Sequence, residues 1–411
     1  MEQPVKNRAT LVLPAGTSAG IETAFLYGAD AVYAGVPGMS LRAKAKITIE
    51  EMENFISLSH SKGKKIFLAL NLFLRNSDED NLSFFANVIK QLKPDALIVS
   101  DAGVFDFFRK NAQEIPLHIS TQANICSLST AKFWHSLGAS QIVLGREVTF
   151  SEIKHIIKNK PAHLAIEMFV HGAMCMSFSG RCLLSSYMAS RSANSGECAH
   201  ACRWNYKMYI EEETRPGLFM PIEEDDRGAY ILNSKDLCMM SHLHEILEAG
   251  IDALKVEGRN KSEYYVASAA RAYSSAMNDF YNKGSIDTAM YCAELDKLQN
   301  RGYCDGFFNG APSQNYETTT SDSDWRVAMQ VTGHTADGVT IFLKNGFPAG
   351  TPIEFLSPHQ FKPIMFYPKE DMRSVKEYDI PFSAFNMEKD QVLHFLPKWT
   401  VARYCKDGRP L

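Results

Sequence analysis

Four cysteines, Cys175, Cys182, Cys198 and Cys202, fall in one stretch at intervals of 7, 16 and 4 residues, while the other five of nine are scattered. Gathered thiolates are soft ligands, and they hold either a zinc ion or an iron–sulfur cluster, both of which want a roughly tetrahedral sulfur array. Zinc usually takes paired Cys-x2–4-Cys knuckles, and only Cys198 and Cys202 approach that form. The uneven spacing and interspersed glycines fit a loop-cradled cluster better, because peptide N–H groups must turn toward its sulfides. Zinc stays open as the alternative metal. Buried thiols acting as small hydrophobes would need an apolar setting, whereas Ser177, Ser179, Gly180, Arg181, Ser195, Gly196 and His200 surround these. Cys238 reads either as a replacement ligand or as a core thiol. Cys126, Cys292, Cys304 and Cys405 sit in apolar contexts and read as core residues.

A centre of that kind needs a rigid frame. Short apolar runs rich in β-branched residues recur at 10–16, 31–35, 65–71, 96–101, 117–122, 141–147, 165–172 and 253–259, with helical patterns between them. Runs that are apolar throughout suit strands buried on both faces, and strand–helix alternation implies right-handed crossovers in a parallel sheet. Eight such units predict an α/β fold, a closed (β/α)8 TIM-like barrel with the Cys-rich stretch as an insertion. A ninth run at 230–233 reads as a pairing strand within an insertion. Several runs end in polar residues: Asn71, Asp101, Gln122, Glu147, Glu167 with His171, and Glu257 with Arg259. Parallel strands of a barrel all end on one face, so these residues are expected to line one mouth. The plainer reading of each is that it caps the following helix.

From 325 to 411 the texture changes to short alternating strands broken by Gly and Pro, which predicts a small antiparallel β-barrel domain. The polar run 318–324 reads as the linker, leaving 1–317 for the barrel and 167–206 for its Cys-rich segment. From Trp325 onward there are 11 basic against 9 acidic residues, an excess small enough for an ordinary solvated face.

Composition narrows the function classes. With 45% hydrophobic and 22% charged residues the chain is globular, and a net charge of −4 argues against coating nucleic acid or membrane through bulk electrostatics. Any nucleic-acid partner must therefore be gripped locally. The first residues lack the apolar core of a secretory signal, and no run approaches the roughly 18 apolar residues of a membrane helix. A cytoplasmic protein with no membrane partner is expected, its cysteines in a reducing compartment. Protease signatures are missing: His244-Glu245 is followed by Glu248 where a zinc protease carries histidine, and there is no Gly-x-Ser-x-Gly elbow.

The string EMFVHGAMCMSFSGRCLLS at 167–185 resembles the signature of the U32-type peptidase family, the collagenase-like bacterial proteins. LPAG at 13–16, GADAVYAG at 28–35, RSANSGEC at 191–198, LNSKDL at 232–237 and KVEGR at 255–259 extend the match across the barrel. Within that family the chain looks most similar to the branch that hydroxylates the wobble uridine of tRNA to 5-hydroxyuridine with prephenate as oxygen source. The resemblance implies a 4Fe-4S cluster on Cys175, Cys182, Cys198 and Cys202, prephenate as co-substrate and the tRNA anticodon loop as partner. It casts Glu167 and His171 as acid and base or as partners of the ligands. Arg181, Arg259 and Lys255, with Arg191 and Arg203, become grips for a small dicarboxylate, and Asn71 and Gln122 become substrate-binding residues. Tyr187, Trp204 and Tyr206 are candidates to stack on a splayed base, and the C-terminal domain a candidate to hold the tRNA stem through phosphates. A collagenase-like peptidase using Cys175 with His171 is the alternative, and a zinc-binding, non-catalytic RNA-binding protein a second.

Overall fold

The computed structural model describes residues 7–36, 47–71, 74, 76–174, 184–190, 199, 201, 204, 209–211, 216–217, 219–221, 235–258, 261–310, 323–372 and 377–406. Seven parallel strands follow one another: β1 (Thr10–Pro14), β2 (Ala31–Gly35), β3 (Lys65–Leu70), β4 (Ala96–Val99), β5 (Leu117–Ile119), β6 (Gln141–Val143) and β7 (Ala165–Ala173). After the ribbon β8 (Tyr209–Glu211) and β9 (Phe219–Pro221) and the strand β10 (Asp236–Cys238), β11 (Ala253–Val256) pairs with both β7 and β1 and closes an eight-stranded barrel. All eight expected runs are wall strands. The run 230–233 lies outside the described residues. The strand that pairs nearby is β10, antiparallel to the end of β7, and β12 (Tyr303–Cys304) pairs with it in turn.

Alternation along each strand separates two cores. Val12, Ala31, Tyr33, Phe67, Ala69, Ala96, Ile98 and Ala253 fill the lumen. Leu11, Leu13, Val32, Ile66, Leu68 and Leu97 point outward into the layer beneath the helices, each burial contributing roughly 1.5–3 kcal/mol. Side-chain caps at Thr17, Thr48 and Ser262 start three of those helices. Among the described residues no helix is long and apolar enough to cross a membrane.

β7 carries one irregularity that matters. Its register with β11 runs Lys255 opposite Phe169 and then Val256 opposite His171, so Val170 is bulged. A bulge shifts the alternation by one residue. Glu167 and Phe169 therefore face the lumen, whereas His171 shares a face with Val256 and turns toward the helix Glu263–Lys283.

The second domain is a curled antiparallel sheet of six strands, β13 (Trp325–His334), β14 (Gly338–Leu343), β15 (Ile353–Leu356), β16 (Ile364–Phe366), β17 (Glu377–Pro381) and β18 (Val401–Cys405), in the order β16-β15-β18-β13-β14-β17. It has its own core, centred on Met329, Ile341, Phe355 and Ala402. Buried polar contacts weld it to the barrel. The Tyr27 hydroxyl donates to Leu356 O at 2.5 Å and accepts from Val401 N at 3.1 Å. Arg403 donates two bonds of 2.8 Å to Glu294 and one of 2.9 Å to Glu354. Ser323, at the end of the expected linker, donates to Lys297 O at 2.8 Å; positions 318–322 lie outside the described residues.

Candidate active site

The barrel lumen is polar where the register brings four strands together. Lys255 on β11 donates to Glu167 Oε1 at 2.7 Å, and Gln141 Nε2 on β6 donates to Glu167 Oε2 at 2.6 Å. Both carboxylate oxygens are thus satisfied, which offsets the cost of burying the charge. The Lys255 ammonium also lies 4.4 Å from the centroid of the Tyr33 ring. His118 on β5 packs edge-on against Phe67 at 4.8 Å, and its Nδ1 has no hydrogen-bond partner among the described residues. Burial, reinforced by the positive charges of Lys255 and Lys65, pushes His118 down to about 3, so it stays neutral.

Above this floor lies the mouth. Asn71 Nδ2 and Ser100 Oγ both donate to Gln122 Oε1, at 2.7 and 3.2 Å, so the ends of β3, β4 and β5 share one amide cluster. The Tyr33 hydroxyl is 3.3 Å from Glu257 Oε2. The Arg146 guanidinium lies 4.0 Å over the Phe169 ring. Asp101 follows the plainer reading: its carboxylate accepts from Gly103 N and Val104 N and caps a helix.

His171 is not part of this surface. It is 1% exposed, packed on the outer side of the wall against Tyr265, Tyr273 and Tyr303 at centroid distances of 5.3–5.8 Å, with Nδ1 unpartnered among the described residues. Desolvation, then the charge of Lys261, lowers it to about 3. Glu167 and His171, expected as a pair, share no hydrogen bond, and the bulge at Val170 is the reason. Lys255, expected as a carboxylate grip, is already matched by Glu167. Cys238 lies on β10 opposite His171, with Sγ 3.9 Å from the Tyr273 hydroxyl; a hydrogen bond to Cys292, then burial, raises its pKa.

Cys175, Cys182, Cys198 and Cys202 lie outside the described residues, as do Arg181, Arg191, Arg203, Arg259 and Tyr206. Nothing is described of the Tyr187 side chain. Trp204 is 40% exposed, its indole N–H donating to Ala199 O at 3.2 Å. Among the described residues no three His, Cys, Asp or Glu side chains gather as a metal set. The chain does enter the Cys-rich segment from the mouth, because β7 ends at Ala173 at the strands' carboxyl side.

Two glycines with positive φ hold that exit. Gly172 has φ +112°, and a Cβ there would stand 2.6 Å from Glu257 O; Gly258 has φ +147°, and its Cβ would stand 2.7 Å from the Tyr265 ring. The Tyr265 hydroxyl donates to Glu257 O at 2.7 Å, so one phenol fills the space both glycines leave.

Sequence reasoning missed Gln141, His118, Tyr33 and Arg146. A readable signal existed for the first two: a polar residue inside an apolar run is the informative exception.

Comparison with known proteins agrees with this architecture. The model of peptidase family U32 matches residues 16–318. A tRNA hydroxylation protein P of Helicobacter pylori is 38% identical over 360 residues, covering 86% of this chain and 84% of that protein. Its counterpart in Escherichia coli is 36% identical over 391 residues, covering 85% and 86%. A 23S rRNA 5-hydroxycytidine synthase of Escherichia coli is 32% identical over 311 residues, covering 74% of this chain and 46% of that protein. A match spanning the whole barrel, with relatives more than a third identical over most of both chains, leaves one conclusion: this chain belongs to peptidase family U32.

Proposed function

We propose that the chain is an RNA-modifying enzyme that hydroxylates tRNA, converting the wobble uridine of the anticodon loop to 5-hydroxyuridine with prephenate as oxygen source. The observation that carries this reading is coverage: the tRNA hydroxylation relatives align over 85–86% of the chain, which takes in part of the C-terminal domain as well as the barrel. An anticodon-loop uridine is single-stranded and enters a pocket without breaking a duplex. The amide cluster of Asn71 and Gln122 at the mouth offers the donor and acceptor types that match a uracil edge. Beneath it the Glu167–Lys255 pair supplies a charge-balanced floor that holds its geometry without water. The welded C-terminal domain is then a fixed arm for the tRNA stem, held through salt-sensitive phosphate contacts.

In this reading Cys175, Cys182, Cys198 and Cys202 hold a 4Fe-4S cluster, with zinc as the alternative metal. When bound, such a cluster supplies electron transfer or a Lewis-acidic iron. The peptidase alternative draws no support from His171, which is 1% exposed and packed among three tyrosines.

Two measurements test the proposal. Protein purified without air should carry iron and acid-labile sulfide in equal amounts, and colourless protein with one zinc would sink the cluster. A strain lacking the gene should lose 5-hydroxyuridine and nucleosides derived from it, read by mass spectrometry of digested tRNA; an unchanged nucleoside profile would sink the hydroxylase.

A further inference from the structure

Arg146 follows β6 at the carboxyl rim of the barrel, and the backbone on either side of it is hydrogen-bonded. Leu144 N donates to Glu167 O and Gly145 N to Ile125 O, each at 2.9 Å, and Val148 N closes a turn onto Gly145 O at 3.4 Å. The guanidinium lies over the Phe169 ring, 4.0 Å from its centroid, and the side chain is only 16% exposed. Its nearest carboxylate oxygen, Glu257 Oε2, is 3.9 Å away, beyond hydrogen-bond reach, and that oxygen is 3.3 Å from the Tyr33 hydroxyl. Arg146 thus makes no hydrogen bond among the described residues, although it carries five N–H donors and a permanent charge. A largely buried guanidinium in that state is costly unless a ligand satisfies it. With one face covered by Phe169, its open edge presents a planar fork, which fits the two oxygens of a carboxylate.

From this geometry we infer that Arg146 binds a carboxylate of a small organic acid at the barrel mouth. The inference rests on the hydroxylase reading, which requires a small dicarboxylate, and it names the residue that takes one end of it. Burial favours a small acid over an RNA phosphate: the Arg146 side chain is only 16% exposed beside Phe169, whereas a polynucleotide backbone tracks an open surface. Charge agrees, since Lys255 is matched by Glu167 at 2.7 Å, and Arg146 has only a distant partner.

The test titrates prephenate into anaerobically purified full-length protein by calorimetry, with malonate and inorganic phosphate as further probes and tRNA affinity measured in parallel. Arg146→Met should weaken prephenate on the order of 10- to 100-fold while leaving tRNA affinity unchanged. Equal prephenate affinity in wild type and variant would overturn the assignment and leave the hydroxylase reading intact. A variant that loses tRNA instead, with phosphate competing for the site, would make Arg146 a backbone contact and overturn it as well. If wild type ignores prephenate yet binds malonate through Arg146, the carboxylate site stands and the oxygen donor of the proposed reaction falls. Should Arg146→Met not fold, Arg146→Lys keeps the charge without the fork; a several-fold loss supports the site, and undiminished affinity rejects it.

Discussion

The Lys255 ammonium and the Glu167 carboxylate meet 2.7 Å apart inside the barrel, on neighbouring strands that are 88 positions apart in the chain, with side chains 4% and 1% exposed. Neither charge is tolerable there alone. Glu167→Gln should therefore destabilise the fold by about 3–5 kcal/mol in guanidinium titration, because it strands a buried cation. Adding Lys255→Met should recover most of that loss. If the double variant is no more stable than the single one, the pair does not act as a unit.

Acid should weaken the protein earlier than its carboxylates alone would explain. His118 and His171 are held neutral to about 3 in the folded state, while an unfolded imidazole takes up its proton near 6.5. The unfolded chain then binds more protons below that value, so stability is full above about 6.5 and falls as pH drops toward 3. Each histidine contributes a slope of about 1.4 kcal/mol per pH unit, or about 2 kcal/mol between pH 7 and pH 5. His171→Gln should roughly halve the loss measured between those two pH values.

Gly172 and Gly63 both have positive φ, and they should respond differently to alanine. At Gly63 nothing lies within 4 Å of a new Cβ, whereas at Gly172 the Glu257 carbonyl stands at 2.6 Å. Gly63→Ala should cost about 1 kcal/mol and keep activity. Gly172→Ala should cost at least about 3 kcal/mol, since strain and clash add. Equal costs at the two sites would contradict the tight packing around Tyr265.

Arg403 ties the two domains through Glu294 and Glu354, itself fully buried. Removing it leaves two buried carboxylates with Lys297 and Arg271 as remaining cations. Arg403→Met should lower stability by about 3–5 kcal/mol and split calorimetric unfolding into two transitions. Arg403→Lys should rescue little, because an ammonium's three donors diverge from one nitrogen and cannot reproduce the planar fork that spans both Glu294 oxygens and Glu354. One cooperative transition in both variants would show that the apolar contacts between the domains suffice.

Much of the architecture was legible because it depends on local pattern. The eight wall strands announced themselves as apolar β-branched runs, and the change of texture after 325 marked the second sheet. The mouth was partly legible for the same reason: Asn71 and Gln122 end their runs, and parallel strands must bring such ends together. The side of the wall on which His171 lies was not legible, because its direction depends on a bulge, and a bulge is a relation between two strands. A regular β7 would have turned His171 to the same side as Glu167 and Phe169.

The amino-acid order alone determined which segments become strands, which end of each is polar, and that four thiols are gathered in one stretch, since these follow from spacing along one chain. Only the closed barrel decided which charges meet. Lys255 found Glu167, Arg146 found Phe169, and His171 was enclosed by tyrosines through pairings between segments dozens of residues apart. Burial then decided what each group can do: a satisfied cation becomes floor, an unsatisfied one invites a ligand, and a desolvated imidazole stays neutral.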